Sequence, residues 1–448
     1  MIISLIKRLL SRRRRPVDVN REIPPDAIIE RSKHTLSKTD ISPNALKVLN
    51  RLHQGGFQAF LVGGSVRDLL LRKMPKDFDI ATNAHPDEIK NLFRNCRLIG
   101  RRFRLAHVHF GREIIEVATF RAAPSEESQN DHQSDEGRIL RDNQYGDIHA
   151  DIWRRDFTVN ALYYNIADFS IVDFCGGVTD LKLKQIRLIG KPEQRYREDP
   201  VRILRAIRFA AKLNFTIETK TAALIPSLAN LLEDIPSSRL FDEIVKLYHC
   251  GHAYEAQQLM YELHVFEHLF PMTAACLAGP EASVTHHLID STLKNTDHRI
   301  QQDRPVTPAF LLAVMLWQPL QAEVKREQEN GVTPLAALEQ AMGVIIARQV
   351  RQISIPKRFS QVMREIWILQ YRLPRRYGNK AQQVLEHPRF RAGYDFLMLR
   401  IAAGEENAEL GEWWTEFQTK TPEDQAVMMA SINQQAGKRR RRRRKKPS

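Results

Sequence analysis

Residues 57–82, FQAFLVGGSVRDLLLRKMPKDFDIAT, constrain this chain more than any other stretch. The apolar run Phe60-Leu61-Val62 reads as a strand that leads into Gly63-Gly64. A short helix is expected over Val66–Leu71, broken by Lys73 and Pro75. A second strand-like run then carries Asp77-Phe78-Asp79-Ile80. Residues two apart on a strand share a face. Asp77 and Asp79 therefore project together, while Phe78 turns into a core. Paired carboxylates raise one another's pKa unless a cation sits between them. Two readings compete: solvated acids at a strand end, or a pair of metal ligands. The glycines just upstream favour the ligands. Oxygen donors suit Mg²⁺, and two bound ions can clamp the oxygens of a phosphoryl transfer.

Further along, the run Ile114–Phe120 alternates, with Ile114, Glu116 and Ala118 on one face and Ile115, Val117 and Thr119 on the other. A lone acid in an apolar strand costs several kcal/mol if buried unpaired. Glu116 is thus at an exposed edge or is a third ligand beside Asp77 and Asp79, and the second is favoured. Residues 122–146 are polar and read as a mobile loop. Asp151-Ile152-Trp153-Arg154-Arg155-Asp156-Phe157-Thr158 follows and leads into VNALYYN. Arginine forks suit phosphate, and aspartate suits a ribose hydroxyl or a metal; a surface ion pair is the plainer reading. From Asp199 the sequence DPVRILRAIRFAAKL predicts a strong helix. Arg202, Arg205 and Arg208 recur every three residues along one side, opposite Ile203, Ile207, Ala210 and Ala211. With acids only at the start, Glu198 and Asp199, this side is expected to bind an anion. Ser42-Pro43 predicts a helix start, with Ala45, Leu46, Val48, Leu49 and Leu52 on one face and Gly55-Gly56 as its stop. Residues 86–94 read as a helix, 96–120 as two or three strands, and 171–190 as strand-like runs around Gly176-Gly177. From 216 onward the chain is mostly helical, without a Gly-rich loop or nucleophile motif.

Net charge matters for where it lies. The chain carries 68 Lys and Arg against 53 Asp and Glu, a formal +15. Six cations in residues 1–16 and nine in 438–446 account for all of it, so the remainder is balanced. Polycationic segments bind polyanions by releasing counterions, with little sequence preference. A nuclear signal is the competing reading of the C-terminal run. The N-terminal MIISLIKRLLSRRRR lacks a signal peptide's order of charges and its cleavage site. It reads either as a disordered basic segment or as a short amphipathic helix at an anionic membrane surface. Four scattered cysteines form no CxxC pair, which fits a reducing cytosol. No apolar run approaches a bilayer span.

Taken together, GGSVRD, DFD, a single-Glu strand, RRDFT-NAL and REDPVRILRAIRF resemble the class II nucleotidyltransferases. That family holds the bacterial poly(A) polymerases and the tRNA CCA-adding enzymes, and the similarity spans roughly residues 40–235. Three features favour the poly(A) polymerase branch: the stretch Cys96–Val108, the body with HPRFRAGYDFLMLR and Trp413-Trp414, and the basic tail. Ser65 stands where a third glycine could be expected, and no phosphohydrolase-type HD segment is evident.

The resemblance implies an α+β fold: a catalytic nucleotidyltransferase head of mixed sheet and helices, then an all-helical neck and body and a disordered basic tail. The expected boundaries are 1–40 for a flexible basic segment, 41–170 for the head, 171–235 for a base-recognising neck, 236–428 for an RNA-binding body and 429–448 for the tail. It implies that Gly63, Gly64, Arg67 and Asp68 sit on the triphosphate and that Asp77 and Asp79 hold Mg²⁺ or Mn²⁺. Glu116 and Asp156 would complete the acidic site, with Glu116 a metal ligand. Arg154 or Arg155 would approach ribose and phosphates, with Asn160 in the same nucleotide-binding set. Glu198, Asp199 and Arg202 match the base-selecting EDxxR pattern, and Arg205 and Arg208 would reach phosphates. The implied activity is template-independent polyadenylation of RNA 3′ ends from ATP with release of pyrophosphate, promoting RNA turnover and mRNA processing. The alternatives are a tRNA CCA-adding enzyme and a decayed, RNA-binding relative. RNA 3′ ends, of messenger RNAs, decay intermediates and small RNAs, would be held by Lys438, Arg439, Arg440, Arg441, Arg442, Arg443, Arg444, Lys445 and Lys446. RNA-degradation machinery and an RNA chaperone are the expected protein partners of a monomer. The expected location is cytoplasmic, with peripheral contact at the inner membrane face.

Overall fold

Ser42 and Pro43 open the first helix, α1 (Pro43–Gln54), the Ser42 hydroxyl accepting from the Asn44 amide at 3.2 Å. Ala45, Val48, Leu49 and Leu52 are its buried stripe, and Gly55-Gly56 end it. This computed structural model describes residues 23–100, 104–122 and 145–432. The expectations placed on residues 1–22, on most of the 122–146 loop and on Lys438–Lys446 lie outside the described residues, as do Arg101, Arg102 and Phe103.

The chain separates into two compact units. One is built from the residues up to Arg195 together with Phe215–Thr221, the other from Tyr196–Asn214 and the residues from Ala222 on. The expected neck, 171–235, is therefore shared between them.

An eight-stranded sheet is the frame of the first unit. Its strands are β1 (Ile28–Ile29), β2 (Ala59–Val62), β3 (Asp79–Thr82), β4 (Cys96–Ile99), β5 (Leu105–Phe110), β6 (Glu113–Thr119), β7 (Tyr163–Tyr164) and β8 (Ile171–Val172). The order is β1-β8-β7-β2-β3-β6-β5-β4. Every pairing is antiparallel except β3 with β6, which run parallel. That exception follows from β4–β5–β6 being a meander, turned between its last two strands at Gly111 with φ +62°. The meander's third strand lies against β3 in the same direction. All four residues of β2 are buried, and Phe60, Val62, Ala81, Phe120, Ile152 and Tyr163 meet in one apolar cluster.

Shorter helices attach to this frame: α2 (Gly64–Leu70), α3 (Pro86–Leu92), α4 (Ile148–Trp153) and α5 (Gly177–Leu183); α6 (Pro192–Glu198) carries the chain from this unit into the next. Two expectations shift. β3 begins at Asp79, so Asp77 lies in the loop before it, because Pro75 and the preceding turn delay pairing. The Gly176-Gly177 turn does not join two strands; it caps α5, with Gly176 left-handed at φ 77°. The small partner of β9 (Gln185–Ile186) is β10 (Thr216–Ile217).

The second unit is helical. α7 (Val201–Leu213) buries Ile203, Ile207, Ala210 and Ala211 and ends at Asn214 in the left-handed conformation. α8 (Ser237–Tyr248) and α9 (Ala253–Glu262) pack on it. Further on come α10 (Ala282–Gln301), α11 (Pro308–Met315), α12 (Lys357–Arg372), α13 (Phe390–Ala402) and α14 (Ala408–Phe417). Trp414 is fully buried in the last core, where its indole N–H donates to the Leu373 carbonyl at 3.0 Å. No helix among the described residues is long and apolar enough to cross a membrane.

Candidate active site

The site starts where β2 meets α2. Gly63 has φ 67° and ψ −125°, a conformation that residues with a Cβ avoid, and its amide donates to the Leu162 carbonyl at 3.0 Å. A Cβ on Gly63 would lie 3.1 Å from Nη1 of Arg155. The chain therefore turns here in close approach to an arginine. Ser65 is buried and donates to the Val62 carbonyl at 2.9 Å, so its side chain locks the turn from inside.

The acids come from adjoining strands. In the parallel β3–β6 register, Asp79 stands directly opposite Glu116. Asp77 and Asp79 are exposed while Phe78 and Ile80 are buried, so the expected alternation holds although Asp77 precedes the strand. The Asp79 carboxyl is pushed up to about 6, first by lost hydration and then by the charges of Glu116 and Asp77, with Arg155 pulling the other way. Three carboxylates and one arginine thus share one electrostatic neighbourhood. On its other flank Glu116 is paired in register with His107, whose Nε2 lies 3.4 Å from Oε1. Among the described residues no group of three or more His, Cys, Asp or Glu side chains is already arranged as a metal cage. The donor set nonetheless suits a hard divalent cation: it is all oxygen, and its mutual repulsion is what such an ion relieves.

Asp151, which the sequence reading passed over, anchors the arginines. It is 1% exposed, on α4. One carboxylate oxygen accepts from Arg154 at 2.6 and 2.9 Å and from the Arg121 amide at 3.1 Å. The other accepts from Arg155 at 3.3 Å and from the Tyr163 hydroxyl. Arg155 donates in turn to the Tyr163 oxygen at 2.6 Å and to the Asn160 carbonyl at 3.3 Å. Burial by itself would raise the Asp151 carboxyl; Arg155 and Arg154 outweigh it and hold it below the usual range. Burial also pushes the Tyr163 phenol far above its ordinary value, so it stays a donor. Arg154 and Arg155 are therefore aimed by a buried carboxylate; a simple surface pair is not what holds them.

Arg67, Asp68, Asp156 and Asn160 gather around the turn that follows Arg155. Arg67 is 3% exposed; it donates to the Asn160 side-chain carbonyl at 2.6 Å and to Asp68 at 2.8 Å. Buried this way it braces α2 against the Thr158–Asn160 turn. Asp68 is its ion-pair partner, at 2.7 Å. Asp156 accepts from the Phe157 amide at 2.8 Å and from Asn160 at 3.4 Å, so its carboxylate serves that turn.

In the helical unit the arginine side of α7 is not bare, because α8 packs across it. Arg208 lies 3.7 Å from Glu243 of α8, and Arg202 bonds Glu198 at 2.9 Å. Arg205 and Arg208 both lie over Phe209. Asp199 pairs with Arg239 at 2.7 Å through one oxygen, and its other oxygen is buried with no hydrogen-bond partner.

A GG turn, an acid pair with a third acid on the neighbouring strand, and a fixed arginine define the class of a nucleotidyltransferase head. The comparisons narrow it. Residues 59–187 match the poly A polymerase head domain, 214–277 the "probable RNA and SrmB-binding site of polymerase A" and 330–447 the polymerase A arginine-rich C-terminus. Poly(A) polymerase I of Escherichia coli O6:H1 is 49% identical over 97% of this chain and 95% of its own length. That of Haemophilus influenzae is 45% identical over 90% of each. The CCA-adding enzyme of Lactobacillus helveticus is 38% identical over 51% of this chain and 55% of its own. The crystal structure of the Bacillus stearothermophilus CCA-adding enzyme in complex with CTP superposes with a TM-score of 0.55 at 25% identity, covering 84% of this chain and 82% of that one. The chain belongs to the bacterial poly(A) polymerase I family.

Proposed function

We propose that the chain extends RNA 3′ ends with adenylate residues from ATP, without a nucleic-acid template, through the site around Asp79. The observation that carries this reading is the pairing of Asp79 with Glu116 beside the Gly63 turn and Arg155, on a chain 49% identical to poly(A) polymerase I along nearly its whole length. Asp77, Asp79 and Glu116 are the residues that would hold a divalent cation, Mg²⁺ or Mn²⁺. When bound, such an ion lowers the pKa of a coordinated hydroxyl and neutralises phosphate charge. The turn at Gly63-Gly64 brings backbone close to the triphosphate, and the first amides of α2 have no partner within the helix. Arg155, with Arg154 beside it, supplies positive charge to phosphate and ribose oxygens, its direction set by Asp151 and Tyr163. Asp156 and Asn160 keep that turn in shape. For base choice, Glu198, Asp199 and Arg202 of the helical unit, which match the EDxxR pattern, would read the base edge by hydrogen bonds. Phosphates of the RNA are held by Lys438–Lys446, for affinity more than for sequence. Messenger RNAs, decay intermediates and small RNAs are the proposed substrates, in the cytoplasm, with RNA-degradation machinery and an RNA chaperone as partners.

The test is incorporation on a generic RNA with each nucleotide triphosphate alone. Long tails with ATP support the reading; addition confined to two C residues and one A on tRNA overturns it. Asp77→Ala should abolish metal-dependent incorporation while RNA binding stays near wild type; undiminished activity would sink the assignment of the acids.

A further inference from the structure

The helical unit contains a cavity that this function leaves unused. It lies among α10, α11 and α13 and has a volume of about 720 Å³. Val306, Phe310 and Leu399 give it an apolar lining, and Arg299, Arg389 and Arg391 a cationic one. The acid in the lining, Asp395, is already paired with Arg391 at 3.0 Å. Arg389 pairs with Glu365 at 3.2 Å. Arg299 donates to the Pro305 carbonyl at 3.2 Å and has no carboxylate partner among the described residues. A guanidinium has five donors, so each of these arginines keeps donors for an outside acceptor. Phe310 is half-buried, edge-on to Phe396 at 6.2 Å between ring centres.

Apolar walls with an aromatic ring, and an excess of arginine around them, suit a ligand that is flat and apolar at one end and anionic at the other. The volume falls within the usual range for sites that enclose one small organic unit. The three arginines come from two elements, Arg299 from α10 and Arg389 and Arg391 from the segment that opens α13. Cations supplied from two elements around one apolar pocket suit a chain of phosphates that passes through it. Stacking plus a cationic track is the general physics of single-strand binding.

We infer that this cavity holds one nucleotide of the single-stranded RNA, its base among Val306, Phe310 and Leu399 and its flanking phosphates on Arg299, Arg389 and Arg391. The inference rests on the proposed RNA-tailing activity. It adds an anchoring site on the folded body, distinct from the terminal polycation.

The experiment uses the full chain and a short fluorescent oligoadenylate. Arg299→Glu reverses the arginine that lacks a carboxylate partner, and Ala392→Trp fills the cavity from α13. Each should weaken oligoadenylate binding about tenfold, Ala392→Trp through the excluded base and Arg299→Glu through a lost phosphate contact. Each should raise KM for RNA and leave KM for ATP unchanged. On the wild-type chain, a photoreactive oligoadenylate should crosslink within 291–310 or 388–402, which keeps the test independent of how the variants fold. Wild-type affinity in both variants, or crosslinks confined to other segments, overturns the inference. So does labelling of these peptides by free azido-ATP that oligoadenylate fails to displace. A wild-type chain that crosslinks here but does not extend the RNA would refute the polyadenylation reading and leave the cavity assignment standing.

Discussion

Asp79 and Asp151 are two carboxylates in one unit with opposite environments. Asp79 has lost hydration, is crowded by Glu116 and Asp77, and is raised; Asp151 is buried, clasped by Arg155 and Arg154, and lowered. The first is arranged to attract a cation from outside, the second already has its cations. Asp151→Asn should therefore cost both stability and activity, since removing one partner of a buried ion pair typically costs about 3–5 kcal/mol. The sign of the pH dependence follows from the lowered value. A depressed carboxyl contributes stability that is fully present above its unfolded pKa, near 3.8, and is lost as pH falls through the still lower folded value. Thermal melts of wild type and Asp151→Asn should differ by a constant amount above about pH 4 and draw together only as pH falls below it. A gap that stays constant below that point as well would show that the charge of Asp151 is not what stabilises the fold. This residue could not be singled out from the sequence, where it is one acid among several around Arg154 and Arg155. Its burial depends on Tyr163 and the Arg121 amide, which only the folded sheet brings to it. Glu116 was legible because an acid inside an apolar alternating strand needs a reason.

At the level of elements, period-two and helical patterns located β2, β6, α1 and α7 close to where they form. Pairing partners were not legible. Nothing in the alternation of β3 says that it lies parallel to β6, yet that register is what sets Asp79 against Glu116. Likewise, spacing along α7 placed Arg202, Arg205 and Arg208 on one side, but could not show that Glu243 of α8 would meet Arg208 there. The turn between β2 and α2 was legible as Gly-Gly; its reason, the approach of Arg155, was not. Gly63→Ala measures both terms at once. The backbone at φ 67° costs of order 1–3 kcal/mol for a residue with a Cβ, and the methyl would press on the guanidinium at 3.1 Å. The variant should melt lower and show a raised KM for ATP at unchanged RNA affinity. Gly64→Ala is the control, since its Cβ would stand 3.6 Å from Arg67 and the position carries no positive φ. If both variants behave alike, the special geometry of Gly63 has no role in nucleotide binding.

For the molecule as a whole, charge separates two jobs. The chain outside its basic ends is balanced, so its sites work by local placement of a few arginines, whereas residues 438–446 offer nine cations without an acid. A local site should show ordinary salt sensitivity, and a polycation an extreme one. For single strands the logarithm of the binding constant falls with the logarithm of salt at a slope of roughly 0.7 per phosphate neutralised. If all nine tail cations engage, deleting 438–448 should reduce the magnitude of that slope by up to about 6 and weaken binding most at low salt. At high salt the two chains should bind RNA almost equally, because only contacts that are not counterion-driven persist there. Incorporation at saturating short RNA should be retained, since the acids and Arg155 belong to the sheet unit. Titrations of oligoadenylate across a series of KCl concentrations decide it. An unchanged slope in the shortened chain would remove the tail from RNA binding and return that task to the arginines of the body.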